Sequence, residues 1–315
     1  MFQLGVVMDP IAEIKISKDS TFAMLLEAQR RGWTLYYMEL SDLFLRDGCV
    51  YGRVRPLEVF RNPECWFSLG EEEERPLVEL DVILMRKDPP FDLEYLYATY
   101  LLELVEAEGV LVVNRPASLR DMNEKLFISW FADLCPPTLV TRSPVKIRAF
   151  LKEHGEIVLK PLNAMGGRSI FYLREGDPNT SVILETMTDG GRRFIMAQKF
   201  LPEIRSGDKR ILLVDGEPVP YALARIPAPE EIRGNLAAGG RAEGRPLSRR
   251  DREIALRVGR VLHERGVLFA GLDVIGDFLT EINVTSPTCI QELDQIYGLN
   301  IEGWLLDRIQ SRLSC

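Results

Sequence analysis

Histidine and cysteine are scarce, and neither forms a cluster. The two histidines, His154 and His263, sit near the ends of helix-patterned stretches shortly before a glycine, where C-terminal capping is the plain role. No Ser-His-Asp constellation can be assembled from them. The five cysteines (Cys49, Cys65, Cys135, Cys289 and Cys315) are odd in number and scattered, with no Cys-x-x-Cys pair. That argues against a disulfide framework or a structural zinc site and for a reducing, cytoplasmic setting. Long apolar runs are missing too: none approaches the ~20 residues that span a bilayer. Met1 to Met8 lacks a basic leader and is too short for a signal core, so it reads as a first strand. No internal repeat or low-complexity tract occurs. Basic residues are outnumbered, 39 Lys and Arg against 47 Asp and Glu, giving a net charge of −8. This argues against a general nucleic-acid binder but leaves room for a local basic pocket.

What is present is an ordinary globular composition, 46% hydrophobic and 27% charged, over 315 residues. A chain of that length buries about three quarters of its unfolded surface and suffices for two or three domains. The first third alternates strand and helix: strand 2–8, helix 17–31 ended by Gly32, strand 33–38, a solvated acidic loop at 71–74, apolar strand 81–85, helix 92–107 and strand 110–113. Continuous apolar strands alternating with helices predict a doubly wound parallel sheet. After about Arg120 the pattern changes. Helices are expected over 123–132, 144–154 and 181–188, with strands over 157–160, 170–173 and 194–200, as in a small α+β domain. A third region carries further strands, a long loop at 226–243, helix 248–265, a hairpin and two terminal helices. The expected domains are therefore 1–122, 123–201 and 202–315.

The hairpin is the most informative segment. In 271–284, GLDVIGDFLTEINV, three oxygen-bearing side chains interrupt two apolar strands. Glu281 and Asn283 are two apart and share a strand face, while Asp273 lies on the preceding strand. Two carboxylates and an amide oxygen suit Mg²⁺, whose octahedron substrate phosphates complete, so a nucleoside triphosphate is the expected substrate. Acyl transfer driven by ATP then replaces the missing protein nucleophile.

Other residues agree. Residues 163–169, NAMGGRS, lie between two strands, and paired glycines leave N–H groups uncovered for phosphate. The loop is not a Walker A sequence, because no Gly-Lys-Ser/Thr follows. Lys160 stands in an otherwise apolar strand, where an ammonium needs an anion. Lys125 is placed near a helix start, where a cation is disfavoured unless an anion is present. Arg210 and Arg225 each occupy an apolar strand, and their planar forks suit carboxylate or phosphate. Arg86 follows a strand end, where ligands of parallel sheets gather. The 226–243 loop, containing Arg233, is long enough to be a lid.

At this point the chain resembles the ATP-grasp ligases and, within them, the prokaryotic glutathione synthetases. The matching strings are 83–91 (ILMRKDPPF), 207–210 (GDKR), 214–220 (VDGEPVP), 233–241 (RGNLAAGGR) and 279–288 (LTEINVTSPT), spread along nearly the whole chain. Segment 46–75 matches least. The resemblance implies an ATP-grasp architecture: an N-terminal doubly wound domain and two α+β domains enclosing ATP. It implies ligation of γ-L-glutamyl-L-cysteine to glycine through an acyl phosphate, giving glutathione, ADP and phosphate. By the same resemblance Lys125 and Lys160 would hold ATP phosphates, with Met165, Gly166, Gly167, Arg168 and Ser169 folded over them. Gln198, Lys199, Phe200 and Leu201 would receive the adenine and Asp208 the ribose. Asp273, Glu281 and Asn283 would hold two Mg²⁺ (or Mn²⁺). Arg210 and Arg225 would act in catalysis, and Arg86, Arg233, Ser286 and Thr288 would bind substrate. A cytoplasmic homo-oligomer, a tetramer, is implied, without nucleic-acid or membrane partners. Ala164 and Arg168 depart from the pattern, standing where relatives often carry smaller residues or glycine. Two other readings stay open: an ATP-grasp ligase with another acceptor, or a silent nucleotide-binding regulator.

The metal reading constrains the turn. A two-residue Gly276–Asp277 loop in a regular hairpin would set Asp273 against Thr280 and turn Glu281 to the opposite face. A three-residue turn, 276–278, brings Asp273 and Glu281 together and is the expected form.

Overall fold

The computed structural model describes residues 1–229, 231, 234 and 239–314. Its strands fall into three sheets, drawn in turn from residues 3–113, 138–199 and 208–283.

In the first sheet, strands Thr34–Met38, Gln3–Val7, Val82–Met85 and Leu111–Val113 lie side by side in parallel. Val82–Met85 is buried throughout, as its unbroken apolar run requires. Alternate residues serve opposite faces. Leu4, Val6, Val82 and Leu84 pack with helix Ser20–Arg30, and Val7, Ile83 and Met85 with helix Leu93–Ala107, so the sheet is covered on both sides. The first helix starts at Ser20, three residues later than its pattern suggested. Asp19 caps it, accepting from the Phe22 N–H at 2.6 Å. An antiparallel flank built on Cys49–Val59 extends the sheet through Leu43–Arg46, Phe67–Leu69 and Glu73–Pro76. The acidic stretch expected as loop therefore enters a strand at Glu73; its exposed charges reported solvent, not irregularity.

The second sheet is antiparallel, with Phe171–Arg174, Glu156–Pro161, Ile195–Lys199 and Thr138–Thr141 in that order. Helices Pro144–His154 and Thr180–Thr188 cover one face, against Ile157, Leu159, Leu173 and Ile195. Strand alternation then sends Val158, Lys160 and Gln198 to the other face. The helix expected over 123–132 is absent. A turn at 124–126 leads into a 3-10 segment, Phe127–Leu134, broken at Phe131. Asn123 caps the turn: its Oδ1 accepts from the Lys125 and Leu126 N–H groups at 3.1 and 2.9 Å, and its amide donates to the Leu162 carbonyl. The start is capped, but the chain goes on in 3-10 turns and leaves helical geometry at Phe131.

The third sheet orders Arg241–Pro246, Glu217–Ile226, Asp208–Val214, Phe269–Ile275 and Phe278–Asn283, all antiparallel. Helix Arg249–Glu264, opened by the Ser248–Asp251 capping box, packs on one face and leaves the other to the cleft. Strand Arg241–Pro246 takes the last residues of the stretch expected as a long loop.

Buried polar side chains join the first sheet to the third. The Asn114 amide donates to the Phe269 and Val284 carbonyls at 2.7 and 2.6 Å, and its oxygen accepts from the Leu268 and Phe269 N–H groups. It thereby closes the open end of the Phe269–Asn283 hairpin from the neighbouring sheet. Arg86 donates to the Pro287 carbonyl at 3.0 Å and to Thr21, and Gln291 donates to the Ile16 and Asp19 carbonyls.

On the outer side of this seam, Glu302 of helix Ile301–Leu313 faces Asp294 of helix Ile290–Tyr297, with Glu27 nearby. Burial, then the contact with Asp294 and the negative charges of Asp294 and Glu27, pushes the Glu302 carboxyl up to about 8 from its ordinary 4.5. Because the folded value is raised, stability from this group is full below about 4.5 and is lost as pH rises through about 8. Thermal unfolding of wild type should therefore shift downward between about pH 5 and 8 and level off above that. Glu302→Gln, a neutral donor to Asp294, should flatten that shift; an unchanged pH slope would refute the assignment.

Candidate active site

The face of the third sheet opposite helix Arg249–Glu264 carries a lattice of charge set by strand register. Arg210 pairs directly across from Asp273, and Asp273 across from Glu281; Asp208 pairs across from Arg225. Asp208 and Arg210 are two apart on one strand, so both rows lie on the same face. Arg210 grips Asp273 with two N–H groups at 2.5 and 3.0 Å. Arg225 holds Asp208 at 2.5 Å and reaches Asp273 at 2.9 Å. Gly271 makes room for this, since a Cβ there would lie 2.8 Å from Arg210 Cδ.

Burial decides the protonation states. Desolvation alone would raise Asp273, but the two guanidiniums outweigh it and hold the carboxyl well below the usual range. Among the described residues, Asp208 pairs with a single cation, Arg225. Burial, reinforced by the charges of Asp273 and Glu281, pushes it up to about 6. One of its oxygens, Oδ1, is buried without a hydrogen-bond partner, leaving an acceptor available to a hydroxyl.

The hairpin resolves its conflict in an unexpected way. Its turn is the two-residue Gly276–Asp277, with Gly276 at φ +57°. Asp273 nevertheless pairs with Glu281, because the register shifts between Asp273 and Val274. Thr280 is the extra residue, a β-bulge, and its hydroxyl donates to the Asp273 carbonyl at 3.1 Å. The expected three-residue turn was wrong, although the pairing that it was meant to secure is present. The bulge absorbs the odd residue that Phe278 would otherwise have carried in the turn. Asn283 lies opposite Gly271, with its amide nitrogen 3.4 Å from Asp273 Oδ2.

The second sheet closes over this face. Lys160 Nζ lies 3.8 Å from Glu281 and Lys125 Nζ 4.0 Å from the same oxygen. Lys125 also pairs with Glu124 and donates to the Ala164 carbonyl at 2.7 Å. It sits in a turn rather than at a helix start, so the anions that hold it are these carboxylates. Glu124 was not singled out from the sequence. It lines the cleft, and burial together with the nearby Glu281 charge raises its carboxyl. Its backbone carbonyl accepts from the Ile282 N–H at 2.8 Å, tying the turn to the strand that carries Glu281 and Asn283.

Between the sheets lies a cavity of about 290 Å³. Its lining has two characters. Pro136, Val158, Ile170, Phe200, Leu201 and Ile204 form an apolar part. Lys125, Lys160, Arg210, Arg225, Asp273, Glu281 and Asn283 form a charged one. Met165, Gly166, Gly167 and Arg168 border it from the glycine loop, where Gly166, Gly167 and Ser169 all take left-handed φ. Ser169 is not in the lining. Gln198, Lys199 and Asp208 are in it. At the end of strand Ile195–Lys199, the N–H groups of Lys199 and Phe200 donate to the Pro137 and Glu156 carbonyls. Ser286 and Thr288 line a third wall with the buried Cys289, and the Ser286 hydroxyl donates to Asp88. Arg86 does not line the cleft. It is buried behind that wall, holding its carbonyls. Arg233 lies outside the described residues. Its neighbour Gly234 is buried against the Asp208–Arg225 pair, where a Cβ would meet the Arg225 carbonyl at 2.6 Å.

No group of three His, Cys, Asp or Glu side chains arranged to hold a metal ion occurs among the described residues. The donor set here is two carboxylates and an amide, all hard oxygen ligands, short of a full shell. That fits a Mg²⁺ ion which shares its coordination with substrate phosphates and fits poorly with a metal held by protein alone.

Among solved structures, the chain matches D-cycloserine synthetase DcsG with a TM-score of 0.67, at 13% identity over 98% of this chain and 99% of that one. It matches ATP-grasp ligase PsnB, solved with minimal precursor, Mg and ADP, with a TM-score of 0.63 at 16% identity, covering 99% and 98%. These likenesses define the fold: the chain is an ATP-grasp protein. The sequence narrows the class to one family. The model for "Prokaryotic glutathione synthetase, N-terminal domain" matches residues 2–120, and that for its ATP-grasp domain matches residues 124–298. Glutathione synthetase of Pseudomonas putida is 62% identical over 311 residues, covering 99% of this chain and 98% of the relative. Those of Salmonella typhimurium and Escherichia coli K12 are 60% identical, covering 100% and 99% of each chain respectively. The chain belongs to the prokaryotic glutathione synthetase family.

The geometry separates two neighbouring carboxylates. Asp273→Ala strands two buried guanidiniums and should cost about 3–5 kcal/mol of stability, read as a lower denaturant midpoint. Glu281→Ala faces only two lysines at 3.8–4.0 Å and should leave that midpoint nearly unchanged while reducing turnover by about a hundredfold or more. Equal destabilisation by both would disprove the division.

Proposed function

We propose that this chain is an ATP-dependent carboxylate–amine ligase that joins γ-L-glutamyl-L-cysteine to glycine, yielding glutathione, ADP and phosphate. The observation that carries the reading is one cleft in which Lys125, Lys160 and the Asp273–Glu281–Asn283 oxygens meet an apolar hinge. Membership of the glutathione synthetase family supplies the substrate pair. The same proposal takes the chain as three domains, 1–122, 123–201 and 202–315, in agreement with the strand membership of the three sheets. It also takes the enzyme as a cytoplasmic homo-oligomer.

The residues divide the work by chemistry. The apolar hinge receives the adenine, and the unpartnered Asp208 Oδ1 accepts from a ribose hydroxyl. Lys125 and Lys160 bind phosphate oxygens. Asp273, Glu281 and Asn283 hold Mg²⁺, or Mn²⁺, at two positions. Bound there, the metal neutralises phosphate charge and orients the terminal group. Arg210 and Arg225, fixed by Asp273 and Asp208, present their remaining N–H groups to the substrate carboxylate and the acyl phosphate made from it. Ser286 and Thr288 face the incoming glycine.

The charges support this allocation. Lys125, Lys160, Arg210 and Arg225 are joined in ion pairs to Glu124, Asp208, Asp273 and Glu281, four cations to four carboxylates. ATP with two Mg²⁺ is also neutral, so the complex adds no net charge to a buried site. Closure of the glycine loop keeps water from the acyl phosphate, which would otherwise hydrolyse.

The test is release of phosphate from ATP and Mg²⁺, with γ-glutamylcysteine and glycine added singly and together. Sustained release should require both substrates, with glutathione appearing in equal amount. Full release with either one alone would sink the proposal.

A further inference from the structure

Among the described residues, six cationic side chains line the cleft: Lys125, Lys160, Arg168, Lys199, Arg210 and Arg225. Four have carboxylate partners. Arg168 and Lys199 have none among the described residues, and their positions differ. Lys199 ends the hinge strand, next to Phe200 and Leu201 of the apolar part. Arg168 stands on the glycine loop, whose Ala164 carbonyl accepts from Lys125 Nζ at 2.7 Å. Through Lys125 that loop is anchored to Glu124 and Glu281, at the charged part of the cleft. Its side chain is exposed, and it sits between Gly167 and Ser169, which take φ of +76° and +56°. Ser169 is thus a non-glycine residue in the left-handed region, a conformation that L-residues adopt at a cost.

We propose that Arg168 is a lid-borne cation that contacts the γ-phosphoryl group of ATP during its transfer. The inference rests on the ligase reading above. In that step the substrate carboxylate oxygen forms a bond to the γ-phosphorus as the bond to ADP breaks, and ADP leaves with the electron pair. The glycine amine then displaces phosphate from the acyl carbon and loses its proton. Charge gathers on the γ-phosphoryl oxygens in the first step, and a guanidinium brought over them by a closing loop stabilises that charge more than the ground state. Glycines on one side of Arg168 allow the loop to close, and the ion-paired Lys125 fixes its base.

Arg168→Ala and Arg168→Lys should be compared with wild type by steady-state kinetics and by equilibrium binding of Mg-ADP and of Mg with the non-hydrolysable β,γ-imido analogue of ATP. Arg168 is exposed, so folding of both variants is checked simply by an unchanged melting temperature. The expected result for Arg168→Ala is a loss of about tenfold to a hundredfold in kcat/KM for ATP, the scale of one charge-assisted contact. Affinity for the triphosphate analogue should fall about tenfold, while Mg-ADP affinity stays within about twofold. Arg168→Lys should recover part of the loss. Equal weakening of both nucleotides, or no change in either, would overturn the proposal. Failure of wild type to bind either nucleotide would instead remove the ligase reading on which it stands.

Discussion

A single buried carboxylate shared by two guanidiniums organises this molecule's chemistry. Asp273 takes two N–H groups from Arg210 and a third from Arg225. Three charges in a sheet interior are costly unless their geometry is nearly complete. Here the direct pairing of Arg210 with Asp273, and of Asp208 with Arg225, makes it complete without strain in the strands. The arrangement also prepares function. It keeps Asp273 ionised, points the two arginines into the cleft and places Asp208 beside them with one oxygen unsatisfied. Stability and catalysis therefore draw on the same contacts.

That lattice is useful only because neighbouring parts of the chain are pinned to it. Asn114 closes the end of the Phe269–Asn283 hairpin with four hydrogen bonds, and the Glu124 carbonyl holds Ile282 from the other side. Arg86 performs a similar task for the wall that contains Ser286 and Thr288. Thus the first sheet, which contributes little to the cavity lining, fixes two of its walls. The second sheet meets the third through Lys125 and Lys160, at longer distances and through flexible side chains.

Much of this was legible in the sequence. Continuous apolar strands announced the parallel sheet, and the polar interruptions Lys160, Arg210, Arg225, Asp273, Glu281 and Asn283 all line one cleft. They were legible because a charge in an apolar strand demands a partner wherever it lies. Glu124 was not legible, because a carboxylate in a polar turn carries no such conflict. The helix expected at 123–132 is instead a turn capped by Asn123 that continues as a 3-10 segment broken at Phe131. Where Arg86 reaches was not legible either: a strand-end arginine looks alike whether it faces a ligand or the back of a loop some two hundred residues later.

The hairpin marks the boundary between the two kinds of information. Residue types and their period of two, from the sequence by itself, put Glu281 and Asn283 on one face and made a nucleotide and metal site with Asp273 the expectation. Only the tertiary structure decided how. Gly276–Asp277 favours a two-residue turn locally, and the site requires a register one residue away. A bulge at Thr280 satisfies both, held by its hydroxyl on the Asp273 carbonyl and by the Arg210 and Lys lattice on either side. Sequence periodicity counts residues along a strand, whereas a bulge is selected by what lies across it.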